Sequence, residues 1–390
     1  MPITYNTHIS EIGPMTYNVH QPWDPLKLCI VGRSYNPEFY KFIPNVKTRT
    51  VLERIAEQTE ADYQKLIKVL ESFGVEVLRP TVSDDFNNYI NSNGKLAPPP
   101  MTPRDYISMI GSDLYIETNQ ILVSWNYLKG EHWPAQPHSP KELTESVIKE
   151  CAEFNVFDLH DKLNDYQHIL DRVAGNVSSI RQNVDKHLNS AMITRVGYDL
   201  YFGTESANDD MTALQLKYSN LFPDYRCHVI PTCGHADSTF CVVKPGLIIS
   251  SHDITDYSQT FPGWEVVYLP RQDWSLMKSF EALKIHNNGK WWVPGEESND
   301  EFTTYVETWF NNWTGYVEET LFDVNMLVID ESNIICSAYN DEMFKALERH
   351  GVTPHVVDFQ HKLFWDGGIH CITSDLHREG QLINYFPNRS

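Results

Sequence analysis

The feature of this sequence that most constrains its fold is a short unit that recurs along the chain. The unit is a strand, a turn, a second strand, a helix and a third strand, and it occurs four or five times without clear sequence identity between copies. Alternating strands and helices usually predict a parallel, doubly wound sheet. Here each unit carries its own hairpin, which favours a circular array of small mixed sheets. In such an array one strand end of every unit reaches a common centre.

Apolar periodicity and turn residues predict where the elements lie. A helix is predicted over 51–73 and ends at Gly74, and a strand follows at 75–80. Hairpins are predicted around Gly111-Ser112-Asp113, through Pro245-Gly246 and over 324–338. The other predicted elements are strands at 26–32, 196–204, 225–232 and 352–359, helices at 212–222 and 341–351, a largely helical stretch at 140–190, and a Pro-rich loop at 91–100.

Composition excludes several classes of function. The net charge is −21, from 31 basic and 52 acidic residues. Nucleic acids and anionic membrane surfaces both need a basic face, so neither is an expected partner, whereas a cationic small substrate would be attracted. No run approaches the length of about eighteen apolar residues that a transmembrane helix needs. The seven cysteines form no C-x-x-C pair, so neither a zinc site nor a disulfide framework is predicted.

Organisation and location follow from what the sequence does not contain. No low-complexity linker divides the chain, so we expect one domain over 23–390, preceded by an N-terminal extension over 1–22. The N-terminus has neither a secretory signal nor the Arg-rich character of a transit peptide, which predicts a cytoplasmic protein. The histidines show no metal-ligand spacing, and neither a metal nor an organic cofactor is expected.

Four short stretches carry charged or reactive side chains beside glycine or proline. They are "PRD" (103–105), "GYD" (197–199), "GHAD" (234–237) and "GGIHC" (367–371). Cys371 follows a glycine pair, and glycine lets another molecule approach the backbone closely. A lone cysteine in an apolar strand is otherwise usually part of the core. His370 points to the opposite face if the segment is extended, so no role is predicted for it.

The acidic residues of these stretches fit an acid/base site. On a strand, His235 and Asp237 would share a face, and histidine is the usual proton carrier near neutral pH. The alternative is a hydrogen-bonded structural histidine. Asp199 could orient an imidazole, although such a residue is more often a turn or cap residue. Asp105 could equally form a surface pair with Arg104.

A cysteine nucleophile surrounded by carboxylates defines a narrow chemistry. Carboxylates disfavour a thiolate unless a cation lies between them. A guanidinium group is such a cation, because it is planar, always charged and matched by carboxylates. Its central carbon is also an electrophile that sulfur can attack. The bound substrate would thus help to ionise its own nucleophile.

At these residues the sequence resembles a known family. "WDPLKLCIVGR", "PRD", "GHADSTF" and "GGIHCITSDLHREG" match the guanidino-group-modifying (pentein) superfamily in order, from about residue 23 to 386. The chain most closely resembles its amidinotransferases, the glycine and inosamine-phosphate enzymes. The resemblance implies an α/β fold in which five ββαβ-type units form a five-fold pseudosymmetric α/β-propeller around a central active site. Homodimers occur in this family.

The resemblance also implies a role for each site residue. Cys371 would be the nucleophile, His235 the general acid/base, and Asp199 the residue that orients His235. Asp105 and Asp237 would clamp the guanidinium group, and the other substrate-binding positions would be Arg104, Thr232 and Gly234.

The implied reaction is ping-pong transfer. The amidino group of a guanidino donor, expected to be L-arginine, would pass through an amidino-cysteine to a primary amine. Hydrolysis by water, as in arginine deiminase or the dihydrolase, is the alternative within the superfamily, and a non-catalytic binding protein is a third reading.

Two departures from the glycine-type enzymes bear on the substrates. Residues 245–270 contain no Lys or Arg to bind a donor carboxylate. This predicts a donor carboxylate held elsewhere, or a donor other than arginine. Thr232-Cys233-Gly234 replaces larger side chains before His235, which predicts an acceptor bulkier than glycine.

Overall fold

A computed structural model of the protein describes residues 16–83, 85, 89, 99–117, 159–183, 190–252, 254–269, 291–309, 323–365 and 367–389. The loop predicted at 91–98 and the helical pattern predicted at 140–158 and 184–189 lie outside the described residues. In the described part no helix is both long and apolar enough to cross a bilayer.

The described elements are short strands separated by helices. The strands are β1 (Leu26–Val31), β2 (Glu76–Leu78), β3 (Ile107–Ile110), β4 (Asp113–Glu117), β5 (Ser179–Asn183), β6 (Ile193–Val196), β7 (Asp199–Gly203), β8 (Arg226–Ile230), β9 (Phe240–Lys244), β10 (Leu247–Ser250), β11 (Glu265–Tyr268), β12 (Leu327–Asp330), β13 (Asn333–Cys336), β14 (Thr353–Val356) and β15 (Thr373–Arg378). The α-helices are α1 (Val46–Ser72), α2 (Leu159–Ala174), α3 (Met211–Leu221), α4 (Asp300–Trp309), α5 (Asp341–Arg349) and α6 (Lys362–Trp365).

The strands form five three-stranded sheets, and all five have the same pairing pattern. In four sheets an antiparallel hairpin is followed by a third strand parallel to the hairpin's second strand: β3-β4-β5, β6-β7-β8, β9-β10-β11 and β12-β13-β14. The fifth sheet, β15-β1-β2, has the same pattern but takes its first strand from the C-terminal end of the chain. The predicted repeating unit is therefore present, and one copy joins the two ends of the chain.

Most predicted elements are confirmed, with local exceptions. The hairpins β3-β4, β9-β10 and β12-β13 lie where the turn residues predict them. The stretch predicted as helical over 140–190 contains a strand, β5, after α2. The single strand predicted at 196–204 is a hairpin, β6-β7, whose turn contains Gly197 with a positive φ of 60°. Strand β11 has no counterpart among the predictions.

Helix α1 shows how local sequence fixes an element's ends. The helix begins five residues before the predicted start, because the side chain of Asn45 caps it by accepting a hydrogen bond from the amide of Thr48. It ends as predicted before Gly74, which takes a left-handed φ of 74°. One face of α1, including Leu52, Ile55 and Leu66, is buried in the largest apolar cluster.

Asp375 on β15 lies at the centre of a buried group of charges. Both of its carboxylate oxygens accept hydrogen bonds from Arg195 Nη2, at 2.9 and 2.8 Å, and Oδ2 also accepts from Arg378 Nε at 2.7 Å. Arg104 Nη2 lies 3.4 Å from Oδ1. Burial acts to raise the pKa of Asp375, but the three arginines outweigh burial and hold the pKa well below its usual value.

The arginines of this group extend to other parts of the fold. Arg195 on β6 donates to the carbonyl of Met109 on β3 at 2.6 Å. Arg378 on β15 donates to the carbonyls of Val328 on β12 and Asp24, both at 2.9 Å. One carboxylate thus connects four of the five sheets through its partners.

We expect Asp375→Asn to destabilise the protein strongly. The change leaves three buried guanidinium groups without their shared carboxylate, and breaking such a buried group costs about 3–5 kcal/mol. Equilibrium urea unfolding of both proteins measures the difference in the free energy of unfolding. Glu38→Gln, which removes the exposed pair with Lys41, is the control and should shift the midpoint little. An Asp375→Asn midpoint as close to wild type as the control's would contradict the role of Asp375.

Candidate active site

Cys371 lies in a tight turn directly before β15. The amide of Ile372 donates to the carbonyl of Gly368, and the amide of Thr373 donates to the carbonyl of His370, each at 3.1 Å. Cys371 is 4% exposed. Because the backbone turns here, the side chains do not alternate between two faces as they would in an extended segment.

The turn gives His370 a partner that the sequence did not predict. His370 Nδ1 lies 2.8 Å from Asp237 Oδ2, whereas an extended segment would point the imidazole away from the site. Burial lowers the pKa of His370 to about 4, and Arg104 adds to this effect against the opposing charge of Asp237. A neutral His370 at pH 7 donates its Nδ1 proton to the carboxylate. The expectation that His370 faces away is therefore wrong.

Asp237 places a carboxylate close to the thiol. Its Oδ2 lies 3.6 Å from Cys371 Sγ. Burial acts to raise the pKa of Asp237, but the hydrogen bond from His370 and the charges of His235 and Arg104 keep the pKa below its usual value. Residues 236–238 form a 3₁₀ turn, so the same-face argument from a strand does not hold. The charge of His235 nevertheless lowers the pKa of Asp237, which agrees with the two side chains lying near each other.

The surroundings of Cys371 disfavour its thiolate. Burial raises the pKa of the thiol well above its usual value, and the carboxylates of Asp237 and Asp105 raise it further. A hydrogen bond from Asn325 and one from the backbone of Gly368 act in the opposite direction. The thiol of the free protein is therefore protonated near neutral pH.

Asn325 contacts the thiol and was not predicted as a site residue. Its Nδ2 donates to Cys371 Sγ at 3.0 Å, and the residue is fully buried directly before β12. The glycine pair before Cys371 makes room for it. A Cβ added at Gly368 would lie 2.4 Å from Asn325 Oδ1, so the space at Gly368 is occupied by Asn325 and not kept for a substrate.

The site residues come from equivalent places in different sheets. Each lies two or three residues before the first strand of a hairpin unit: Asp105 before β3, Asp237 before β9, Asn325 before β12 and Cys371 before β15. In the unit that begins with β6 the equivalent residue is Ala191. Repetition of one unit therefore brings side chains that are distant in sequence to one place.

The structure places Asp199 elsewhere, at the first residue of β7. It follows the turn at the far end of the β6-β7 hairpin, roughly 10 Å from the start of β6 at about 3.3 Å per residue. Its carboxylate accepts hydrogen bonds from His228 Nε2 at 2.7 Å, Arg226 Nη2 at 2.6 Å and Arg389 Nη1 at 3.1 Å. These contacts give Asp199 another imidazole, His228, in place of the predicted partner His235.

Thr232 and Gly234 belong to a turn that positions the segment before His235. Thr232 Oγ1 contacts the carbonyl oxygens of Thr204 and Gly234 at 3.1 and 2.7 Å. Cys233 has a left-handed φ of 53° and is exposed, and Gly234 has a φ of 154°. The hydroxyl of Thr232 is thus bound to the backbone of the turn, which is a structural role.

Arg104 is buried beneath the cysteine turn and does not form the surface pair considered from sequence. It is 1% exposed, and its Nε donates to the carbonyl of His370 at 2.8 Å. A cavity adjoins this region and is lined in part by Arg104, Arg195, Asp237, His370 and Asp375. Within the described ranges no three His, Cys, Asp or Glu side chains are grouped as metal ligands.

Two curated proteins are similar to this chain over most of its length. A mitochondrial glycine amidinotransferase from Xenopus tropicalis is 23% identical over 417 residues, covering 98% of this chain and 86% of that protein. An L-arginine:L-lysine amidinotransferase from Pseudomonas savastanoi pv. phaseolicola is 22% identical, covering 85% of this chain and 82% of that protein. No protein-family model matches the sequence.

Two solved structures share the fold. The amidinotransferase SxtG from Microseira wollei superposes with a TM-score of 0.59 at 17% identity, covering 95% of this chain and 99% of that one. The inosamine-phosphate amidinotransferase StrB1 from Streptomyces griseus gives a TM-score of 0.58 at 16% identity, with the same coverage. The resemblance predicted from the motifs is confirmed: this chain is an enzyme that is similar in sequence to amidinotransferases and shares the fold of two amidinotransferase structures.

Proposed function

We propose that the protein transfers the amidino group of L-arginine, through an amidino adduct on Cys371, to a primary amine. The observation that carries the proposal is a buried thiol placed against the carboxylate of Asp237, with Asp105 as a second nearby negative charge. This arrangement suppresses the thiolate in the free protein. A guanidinium group bound between the sulfur and the carboxylates reverses that effect because it supplies the missing positive charge.

Asp237 has an oxygen available for such a cation. Its Oδ2 is engaged by His370, but its Oδ1 is buried and has no hydrogen-bond partner within the described part of the chain. A buried acceptor without a donor costs free energy, and a guanidinium N–H would satisfy it. The same contact would hold the guanidino carbon beside Cys371 Sγ.

The proposed transfer of the amidino group takes two steps. In the first, Cys371 Sγ bonds to the guanidino carbon, the bond from that carbon to the side-chain nitrogen of arginine breaks, and the thiol proton ends on the departing amine of ornithine. In the second, the acceptor amine attacks the same carbon and the C–S bond breaks. The acceptor's proton returns to the sulfur. We assign the proton transfers to His235, which is half-buried beside Asp237.

The five sheets are proposed to be arranged around the site. Five sheets of one topology, four of them contributing a site residue from the same place, support a five-fold α/β-propeller around the site. The name of the bacterial relative supports arginine as the donor. The acceptor in this proposal is a primary amine. Three further features stay predictions: a single domain, a homodimer and a cytoplasmic location.

Incubation with L-arginine and no acceptor tests the transfer. We expect the intact protein to gain the mass of one amidino group on Cys371 and to release about one equivalent of ornithine, since no amine is present to complete the cycle. Cys371→Ala should abolish both signals. Cys233→Ala, which removes an exposed thiol close to His235 in sequence, is the matched control and should retain them. Continuous release of citrulline and ammonia would instead show hydrolysis.

Asp237→Asn tests the charge argument with two opposite effects. Loss of the negative charge lowers the pKa of Cys371, so iodoacetamide should alkylate Cys371 faster at pH 7.5, by roughly tenfold for each unit of pKa. Adduct formation with arginine should become slower, because the guanidinium loses its carboxylate.

Peptide mass spectrometry measures the alkylation, and intact mass measures the adduct. Asp256→Asn, at an exposed acidic residue, is the control and should change neither rate. If both rates change in the same direction, the proposed role of Asp237 is wrong.

A further inference from the structure

The side chain of Asn325 forms four hydrogen bonds within the described part of the chain, and each of them joins it to a residue of the site. Its Oδ1 accepts from the amides of His370 at 2.8 Å and Cys371 at 3.1 Å. Its Nδ2 donates to the carbonyl of Asp237 at 3.1 Å and to Cys371 Sγ at 3.0 Å. One buried side chain thus holds both segments that carry the proposed chemistry.

The orientation of this amide is fixed by its neighbours. Exchanging the oxygen and nitrogen of Asn325 would direct N–H groups at the two backbone amides and an oxygen at the carbonyl of Asp237. Every such contact would be repulsive, and the buried groups would lose their partners. The N–H of Asn325 therefore faces the sulfur.

A hydrogen-bond donor at this position stabilises the sulfur most strongly when the sulfur is negatively charged. Hydrogen bonds to ionised groups are roughly twice as strong as those between neutral groups. In the proposed transfer, the sulfur is negative twice: when it attacks the guanidino carbon and when it leaves the amidino adduct. The carboxylate of Asp237 disfavours that charge in the absence of substrate.

We propose that Asn325 is a catalytic residue that stabilises the sulfur anion of Cys371 in both half-reactions by donating a hydrogen bond from Nδ2 to Sγ. This inference rests on the proposed function for its place in the reaction. The contact with the sulfur itself can be tested without any guanidino substrate. Asn325 also fixes the turn through its two backbone contacts, and its side chain fills the space that a Cβ at Gly368 would need.

The test is Asn325→Asp, which keeps the shape and the oxygen that accepts from the turn but replaces the donor by an acceptor. Alkylation by iodoacetamide is followed at Cys371 and at exposed Cys233 by peptide mass spectrometry across pH 6–10. We expect the rate at Cys371 to fall about tenfold or more at pH 8 and its pH profile to move upward, because the thiolate loses a charge-assisted hydrogen bond. The rate at Cys233 should be unchanged.

Two further variants separate a contact with the sulfur from a general loss of structure. Asn208→Asp makes the same change at an exposed residue and should leave Cys371 unaffected. Asn325→Ala removes the donor without adding a charge and should slow alkylation in the same direction. It serves as the test if Asn325→Asp has no cooperative thermal transition.

The outcomes separate this inference from the proposed function. An unchanged Cys371 profile in a folded Asn325 variant overturns the inference, as does an equal change at Cys371 and Cys233, and the transfer proposal then still stands. If wild-type protein forms no amidino adduct but the Asn325 variants alkylate slowly, the contact is supported and the transfer proposal fails. Slower adduct formation with arginine in the same variants supports both.

Discussion

The shared carboxylate of Asp375 is the interaction on which the arrangement of the sheets depends. It lies on the strand that follows Cys371 and receives three arginines from β6, from β15 itself and from the turn before β3. Buried charges persist only when they are paired, so these segments must lie together for any of them to be buried. Asp375 lies four positions after Cys371 in the sequence, and Arg104 also binds the carbonyl of His370. The group that holds the sheets together therefore also fixes the cysteine turn.

The charged groups around the thiol and those beneath it have opposite signs, and the proposed function gives this difference a role in selectivity. Cys371 faces the carboxylates of Asp237 and Asp105, whereas the arginines are bound to Asp375 and to backbone carbonyls. A thiol activated by a permanent cation would react with many electrophiles. In the proposed function the missing cation would be the substrate, so the sulfur would become nucleophilic only when a guanidinium group is present. The large negative net charge of −21 would attract the same class of molecule from solution.

The sequence predicts the repeating unit because local signals mark it. Turn residues at Gly111 and Pro245-Gly246 identify hairpins. The glycine pair singled out Cys371 but did not predict the turn that contains it. Asp199 and His370 were misplaced for a different reason. The prediction for Asp199 required knowing which end of its hairpin the residue occupies, and the prediction for His370 required knowing whether its segment is extended. These are tertiary properties that alternation cannot reveal. Asn325, in "VNMLVID", has no local signal, since an asparagine before an apolar strand is common in any protein.

Aligning the units on their first strands, instead of searching for charged residues beside glycine, recovers what the motifs missed. Asp105, Asn325 and Cys371 all lie two residues before a first strand, and Ala191 takes that position in the unit of β6. "GYD" looked equivalent because it combines glycine with a carboxylate, yet it lies at the turn of its hairpin and not at the start. In a fold built from one repeated unit, position within the unit is thus a better guide to the site than residue type. The same rule explains why an amide, a carboxylate and a thiol with no common sequence motif meet at Cys371.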